Sequence, residues 1–135
     1  MEKIQFDSGV RTFRVNGKGK LTFSPSDPNV YARFQEMGEK LPQLEEMLQQ
    51  HQEGDTLSLM TLADRELKKR LSWVFPGNDF EEIFSGIHLL AVTKSGKTVL
   101  ENFLDALTPI LCQGAEQCAK SYAQVASDKA CARRS

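Results

Sequence analysis

Residues 91–98, AVTKSGKT, form the stretch whose residue types and spacing come closest to nucleotide chemistry. They match a relaxed phosphate-binding loop in which alanine replaces the first glycine. In such a loop, backbone N–H groups curl around the phosphates while the lysine and the threonine reach the terminal phosphate and Mg²⁺. That geometry requires a central strand of a parallel sheet before the loop, and too few residues follow Thr98 to complete such a sheet. We therefore expect a polar turn and a helix cap here, without a nucleotide.

Other catalytic arrangements have little support in the sequence. Cys112 and Cys118 have no recognisable flanking motif, and only two histidines could act as their base. The adjacent acidic pairs at 45–46 and 81–82 point away from one another on a helix. We expect solvated carboxylates, cysteines that pack as small hydrophobes, and no enzyme activity.

The cysteines and histidines do not match a metal site either. Cys112, Cys118 and Cys131 lie at spacings unlike those of zinc ligands, and His51 and His88 are far from them in sequence. An odd number of cysteines, without a secretion signal in MEKIQFDSG, indicates reduced thiols in the cytoplasm. We expect no metal and no other cofactor.

The charge balance argues against nucleic-acid and membrane partners. Lysine and arginine number 17 against 18 acidic residues, for a net charge of −1. The basic runs at 68–70 and 133–134 are short enough to be solvated faces. No apolar run approaches the roughly 20 residues of a membrane-spanning helix. The expected location is the cytoplasm.

Alternating apolar residues predict a three-stranded antiparallel β-meander over residues 1–24. The first two strands are separated by a turn at residues 7–9, and the second and third by Asn16 and Gly17, a strong hairpin signal. Gly19 adds a bulge or a longer loop. So few strands are barely stable alone, so we expect helices to cover the apolar face. The alternating apolar residues are Ile4, Phe6, Phe13, Val15, Leu21 and Phe23.

Helical spacing begins directly after this meander. Asp27 and Pro28 provide an N-cap and a first helical residue. An apolar stripe at helical spacing follows, with a kink or break expected at Pro42. A polar loop is predicted at residues 49–55. The stripe consists of Val30, Phe34, Met37, Leu41, Leu44 and Leu48.

Three further helices complete the predicted α+β fold, an N-terminal meander packed on about four helices. One shows apolar residues at helical spacing from Met60 to Val74; a short one opens at a capping box of Asn78 and Glu81. Residues 87–92 form an apolar run of strand length, with a buried extended segment or a turn of helix as the alternatives. The last helix opens at a capping box of Thr98 and Glu101, with a kink or a restart at 108–109. Its apolar stripe is Leu100, Phe103, Leu104, Leu107 and Leu111. We expect one domain over 1–135, with a helical core at 27–112 and a helical to frayed tail at 114–135.

Aromatic residues cluster around the turn at Pro76 and Gly77. Two interpretations are open: a corner of the hydrophobic core, or an exposed apolar groove for a partner helix or peptide. Trp73 is the best surface anchor, because it lies one residue off the helical stripe and tryptophan is enriched at binding hot spots. The candidate partner-binding residues are Trp73, Phe75, Phe80, Ile83 and Phe84.

Four blocks give the chain a family resemblance. They are FSPSDPNVYARF at 23–34, LSWVF at 71–75, DFEEIFSG at 79–86 and NFLDALTP at 102–109. Together they resemble the tail assembly chaperone-like proteins of tailed phages and prophages of Gram-positive bacteria. His88 departs from the asparagine more usual there.

The resemblance implies a cytoplasmic helper in phage tail assembly. Such a chaperone coats the long tape measure protein until tail tube subunits replace it, so the implied partners are the tape measure protein, the tail tube protein as a further candidate, and other copies of the chain. No catalytic residues are attributed to the family. The alternative function is a phage-encoded protein that inhibits or adapts a host protein through an apolar patch.

Overall fold

The computed structural model describes residues 1–17, 19–50 and 56–134. Within them the fold is α+β, with two strands and four helices, which confirms the predicted class. No helix among these residues combines the length and the apolar character needed to cross a membrane. The elements are β1 (Arg11–Val15), β2 (Gly19–Phe23), α1 (Pro28–Gln50), α2 (Thr56–Val74), α3 (Phe80–Ile83) and α4 (Val99–Arg134).

The β-hairpin forms at the Asn-Gly signal. Asn16 and Gly17 have positive φ angles of 51° and 73°, the left-handed conformation that this dipeptide favours. The antiparallel register pairs Arg11 with Phe23 and Val15 with Gly19, so the connection is longer than a two-residue turn, as Gly19 indicated. Gly19 is required for a second reason: a Cβ there would lie 2.7 Å from Ile83 Cα.

The predicted third strand is wrong, because the sheet has two strands. The turn at residues 7–9 does form, since the Gly9 N–H donates to Asp7 Oδ1 at 2.9 Å. The segment before it pairs with nothing described, and Ile4 and Phe6 are 88% and 78% exposed. Two alternating apolar residues bury too little surface to offset the entropy of ordering another strand.

Helix α1 begins as predicted. The Asp27 side chain accepts a hydrogen bond from the Asn29 N–H at 2.9 Å, and Pro28 is the first helical residue. A break at Pro42 is wrong, because α1 continues through it to Gln50. Buried residues on either side of Pro42, Met37 and Leu44, hold the helix against the core and offset the lost backbone bond. Of the predicted loop at 49–55, residues 49 and 50 are helical and 51–55 lie outside the described residues.

Helix α4 likewise continues through Pro109, so the predicted restart is also wrong. Leu107 and Leu111, both buried, flank the proline. The capping box at its start is confirmed: the Glu101 N–H donates to Thr98 Oγ1 at 3.1 Å, and the Thr98 N–H donates to Glu101 Oε1 at 3.3 Å. The helix runs to Arg134.

A chain of phenylalanine rings joins the hairpin to the helices. Phe23 of β2 contacts Phe75, at the end of α2, with ring centroids 4.8 Å apart. The contacts continue to α4, where Phe84 and Phe103 meet edge to face at 5.0 Å. In order, the six rings are Phe13, Phe23, Phe75, Phe80, Phe84 and Phe103.

Asn78 has a different role from the one predicted. The N-cap of α3 is Asp79, whose carboxylate accepts from the N–H groups of Glu81 and Glu82 at 3.0 and 3.4 Å. The Asn78 amide instead pairs with the backbone of Thr22, accepting from its N–H and donating to its carbonyl, both at 2.8 Å. Asn78 therefore bonds to the outer edge of β2 as a neighbouring strand would.

Residues 87–92 do not form a strand, apart from a single bridge between Val92 and Thr98. Leu89 is fully buried. Its backbone N–H donates to the Asp64 carboxylate at 2.9 Å, and that of Leu90 donates to His88 Nδ1 at 3.1 Å. Side chains therefore satisfy these two N–H groups, while the carbonyls of Leu89 and Ala91 accept from the backbone N–H groups at the start of α4.

Two helical glycines give opposite predictions. Gly114 of α4 packs against Pro25, and a Cβ would overlap the Pro25 carbonyl; at Gly38 of α1 a Cβ would meet nothing within 4 Å. Gly114→Ala should lower the free energy of unfolding by about 1–3 kcal/mol through overpacking. Gly38→Ala should raise it by about 0.5–1 kcal/mol, because alanine is the better helix former. Urea unfolding of both variants checks this, and a stabilising Gly114→Ala would contradict the close packing of α4.

Candidate binding surface

The segment that resembled a phosphate loop is a closed turn followed by a helix cap. The N–H and the hydroxyl of Thr93 both donate to the Lys97 carbonyl, at 2.8 and 2.7 Å, and the Gly96 N–H donates to the Thr93 carbonyl at 2.9 Å. The Lys97 ammonium binds Asp105 Oδ2 at 2.8 Å. Several of the groups that would hold a phosphate are therefore engaged within the fold, which matches the predicted turn and cap.

The described chain does bring an acid, a base and an imidazole together between α2 and residues 87–90. Asp64 Oδ2 lies 2.8 Å from the Lys68 ammonium, and both side chains are largely buried, at 13% and 8% exposure. Glu81 Oε2 is 3.7 Å from the same ammonium, and His88 Nδ1 is 4.0 Å from Asp64 Oδ1.

Each group in this cluster is held by the fold. Asp64 accepts from the Leu89 N–H in addition to Lys68. His88 Nδ1 accepts from the Leu90 N–H, so its Nε2 carries the proton and donates to the Met60 carbonyl at 3.0 Å. The imidazole therefore has both nitrogens engaged, and the cluster fastens α2 to residues 87–90.

The Asp64 carboxyl has a lowered pKa. Burial by itself raises that pKa, but the hydrogen bond from Leu89 and the ammonium of Lys68 together outweigh it, since both favour the charged form. The carboxylate is thus stabilised in the folded state relative to the unfolded chain.

No three histidine, cysteine, aspartate or glutamate side chains converge as metal ligands in the part of the chain whose residues are described. Cys112 is exposed and Cys118 half-buried, both as free thiols. The side chain of Cys131 and the whole of His51 lie outside what the structure describes.

Of the five residues predicted as partner contacts, the structure places one at the surface. Trp73 is 47% exposed on α2, as its position beside the apolar stripe indicated. Phe75, Phe80, Ile83 and Phe84 are all buried in the core. In this conformation they form the core corner, and Phe84 also lines the groove described below.

An apolar groove lies between the hairpin and α4. Its volume is about 340 Å³, and its walls come from β1, from the start of α4 and from Thr93. Phe13, Val15, Phe103 and Ile110 are only partly buried, so the groove exposes part of the core. The full lining is Phe13, Arg14, Val15, Asn16, Leu21, Phe84, Thr93, Val99, Asn102, Phe103, Ala106, Leu107 and Ile110.

The rim of the groove carries backbone hydrogen-bonding groups. The N–H and the carbonyl of Thr22 both bond to Asn78, so Thr22 and its partner Thr12 form a pair without hydrogen bonds between them. The backbone N–H and carbonyl of Thr12 therefore point away from β2, and those of Arg14, two residues later, do the same. No strand within the described residues pairs with this outer edge of β1. The edge can therefore bond to an extended partner segment.

The sequence predictions missed this groove. They assumed that helices would cover the whole apolar face of the sheet. The signal available was the width of the apolar face on α4, since Val99, Ala106 and Ile110 lie outside the stripe predicted for that helix. A helix with a face wider than its neighbours can cover leaves part of it exposed.

Comparison of the chain with protein-family models, with curated proteins and with solved structures gave no match. The resemblance to tail assembly chaperones therefore rests on the four sequence blocks. It stays a prediction.

The lowered pKa of Asp64 makes the stability depend on pH. The contribution of Asp64 should be complete well above its unfolded-state value of 3.8 and should be lost as pH falls through the lower folded-state pKa. Asp64→Asn should remove this acid-dependent part and should cost on the order of 2 kcal/mol near pH 7, since Lys68 loses its buried partner.

Urea unfolding of both proteins from pH of about 2 to about 7 tests this. Glu36→Gln is the control, because the exposed Glu36–Lys40 pair at 2.9 Å should contribute less than about 1 kcal/mol. Parallel pH profiles for the wild type and Asp64→Asn would contradict the role of Asp64.

Proposed function

We propose that the chain is a non-catalytic phage tail assembly chaperone, which binds the tape measure protein and keeps it soluble in the bacterial cytoplasm during assembly. The groove between β1 and α4 carries this proposal. A holdase needs accessible apolar surface and reversible binding, and the groove offers partly buried side chains without exposing the whole core.

The chemistry of the groove suits a long, amphipathic client. Its floor can receive a row of apolar side chains from a helix, while the edge of β1 can bond to a segment that is locally extended. The polar groups around the floor, from Arg14, Asn16, Thr93 and Asn102, suit the polar flank of such a segment. We place the client in this groove, with the tail tube protein as a further candidate partner.

Many copies along one client would account for protection of its full length. A net charge of −1 lets copies approach one another without strong repulsion. Trp73, on α2, is exposed away from the groove-lining elements and is the residue we assign to a second contact.

Ala106→Arg tests the groove. Ala106 is exposed and lines the groove, so arginine there should block it while leaving the core packing unchanged. Co-expressed with the tape measure protein encoded nearby, the wild type should raise the soluble fraction of that protein severalfold, and Ala106→Arg should not. Ala119→Arg, at an exposed position further along α4, is the matched control and should behave as the wild type.

Three outcomes are informative. A tape measure protein no more soluble with the wild type than without it would refute the chaperone function. Equal loss in both arginine variants would refute the groove as the site, and loss in Ala106→Arg alone supports it. Thermal unfolding of all three proteins establishes that the comparison is between folded chains.

Trp73→Glu tests the second contact. Because Trp73 is 47% exposed, the substitution should change the free energy of unfolding by less than about 1 kcal/mol while weakening client binding. Pull-down with the tape measure protein and urea unfolding measure the two effects. A large loss of stability would instead assign Trp73 to the core.

A further inference from the structure

The face shared by α1 and α2 has a small depression around Trp73. Its volume is about 290 Å³, and its lining consists of Met37, Lys40, Lys69, Arg70 and Trp73. Met37 is buried and Trp73 is about half exposed, so an apolar floor lies beside an accessible aromatic face. The other three lining residues are cationic.

Arginine charge on this face is not neutralised by the fold. Arg33, one turn before Met37 on α1, donates from Nε to the Val74 carbonyl at 3.1 Å. Arg70 Nη1 is buried and has no hydrogen-bond acceptor among the described residues. Neither guanidinium has a described carboxylate oxygen within the 4.0 Å of an ion pair.

The lysines have only exposed, local partners. Lys40 contacts Glu36 at 2.9 Å and Lys69 contacts Glu66 at 3.6 Å, each within its own helix. Such pairs contribute little and rearrange easily. Three cations line the depression, and only Lys40 and Lys69 have a described carboxylate partner, on a chain whose overall charge is −1. The positive charge is local to this face.

We propose that this depression binds an acidic segment of a partner protein, with an apolar side chain against Trp73 and carboxylates on the surrounding cations. The buried Nη1 of Arg70 favours a carboxylate partner because it has no described acceptor, and the exposed lysines add a weaker attraction that salt screens. A tryptophan ringed by complementary charge is the usual composition of a binding hot spot. The patch is too small, and the chain as a whole has no excess of positive charge, to follow a nucleic-acid backbone.

This inference rests on the proposed function only for the natural partner: if the tape measure protein is the client, the segment bound here is acidic. The lining residues of the depression differ from those of the groove. Ala106→Arg therefore tests the groove and substitutions at Lys69 test the depression, so each proposal can fail without the other.

Trp73 itself provides the readout, because it is the chain's single tryptophan. The probe is a synthetic amphipathic peptide with glutamate on one face and leucine on the other, titrated while Trp73 emission is recorded. A counterpart with lysine at every glutamate position is the control peptide. The acidic peptide should bind at least about tenfold more tightly than the basic one. Raising salt from about 50 mM to about 500 mM should weaken this binding.

Lys69→Glu should weaken the acidic peptide by about tenfold, because it reverses a charge that lines the depression. Lys94→Glu makes the same change in net charge at an exposed turn outside the depression and should bind as the wild type. Equal binding of both peptides, equal weakening in both variants, or tighter binding of a thymidine oligonucleotide would overturn the proposal.

Discussion

The contact between Phe23 and Phe75 is the constraint on which the architecture depends. A two-stranded hairpin is at best marginally stable in water, so β1 and β2 persist because their apolar face is buried on helices. Phe23 packs on Phe75 at the end of α2, and Phe75 packs on Phe80 of α3. Phe80 in turn contacts Phe103 of α4. The helices in turn need the hairpin, because without it Phe75 and Phe80 would lose much of their cover.

Long-range hydrogen bonds add to the apolar contacts that hold the elements together. The fold places two long-range polar anchors beside the aromatic chain: Asn78 on the backbone of Thr22, and Asp64 on the backbone of Leu89. Each serves a segment that has no partner strand at that point. Lys68 stabilises the second anchor by keeping Asp64 charged despite its burial. The structure thus uses side chains where a larger sheet would use more backbone.

Local signals in the sequence were sufficient to predict local structure. The Asn16–Gly17 turn, the Asp27 cap and the capping box of Thr98 depend on residues within a few positions, and all are confirmed. Predictions failed where a residue's contacts are with residues far away in the sequence. The amide of Asn78 bonds to a residue 56 positions away, which its neighbours in sequence do not indicate. The prolines at 42 and 109 looked like breaks for the same reason, since burial on other elements holds those helices together.

The two edges of the hairpin differ, because the outer edge of β2 is covered and that of β1 is open. Asn78 and the close packing of Gly19 on Ile83 occupy the side of β2, while the outer edge of β1 stays unpaired among the described residues. A strand can therefore be added on one side only. Copies that joined edge to edge through β1 would stop at a pair, because neither would present a second edge for a third copy. An open strand edge is usually a route to unlimited stacking, and the covered side of β2 would limit such stacking here to a single addition.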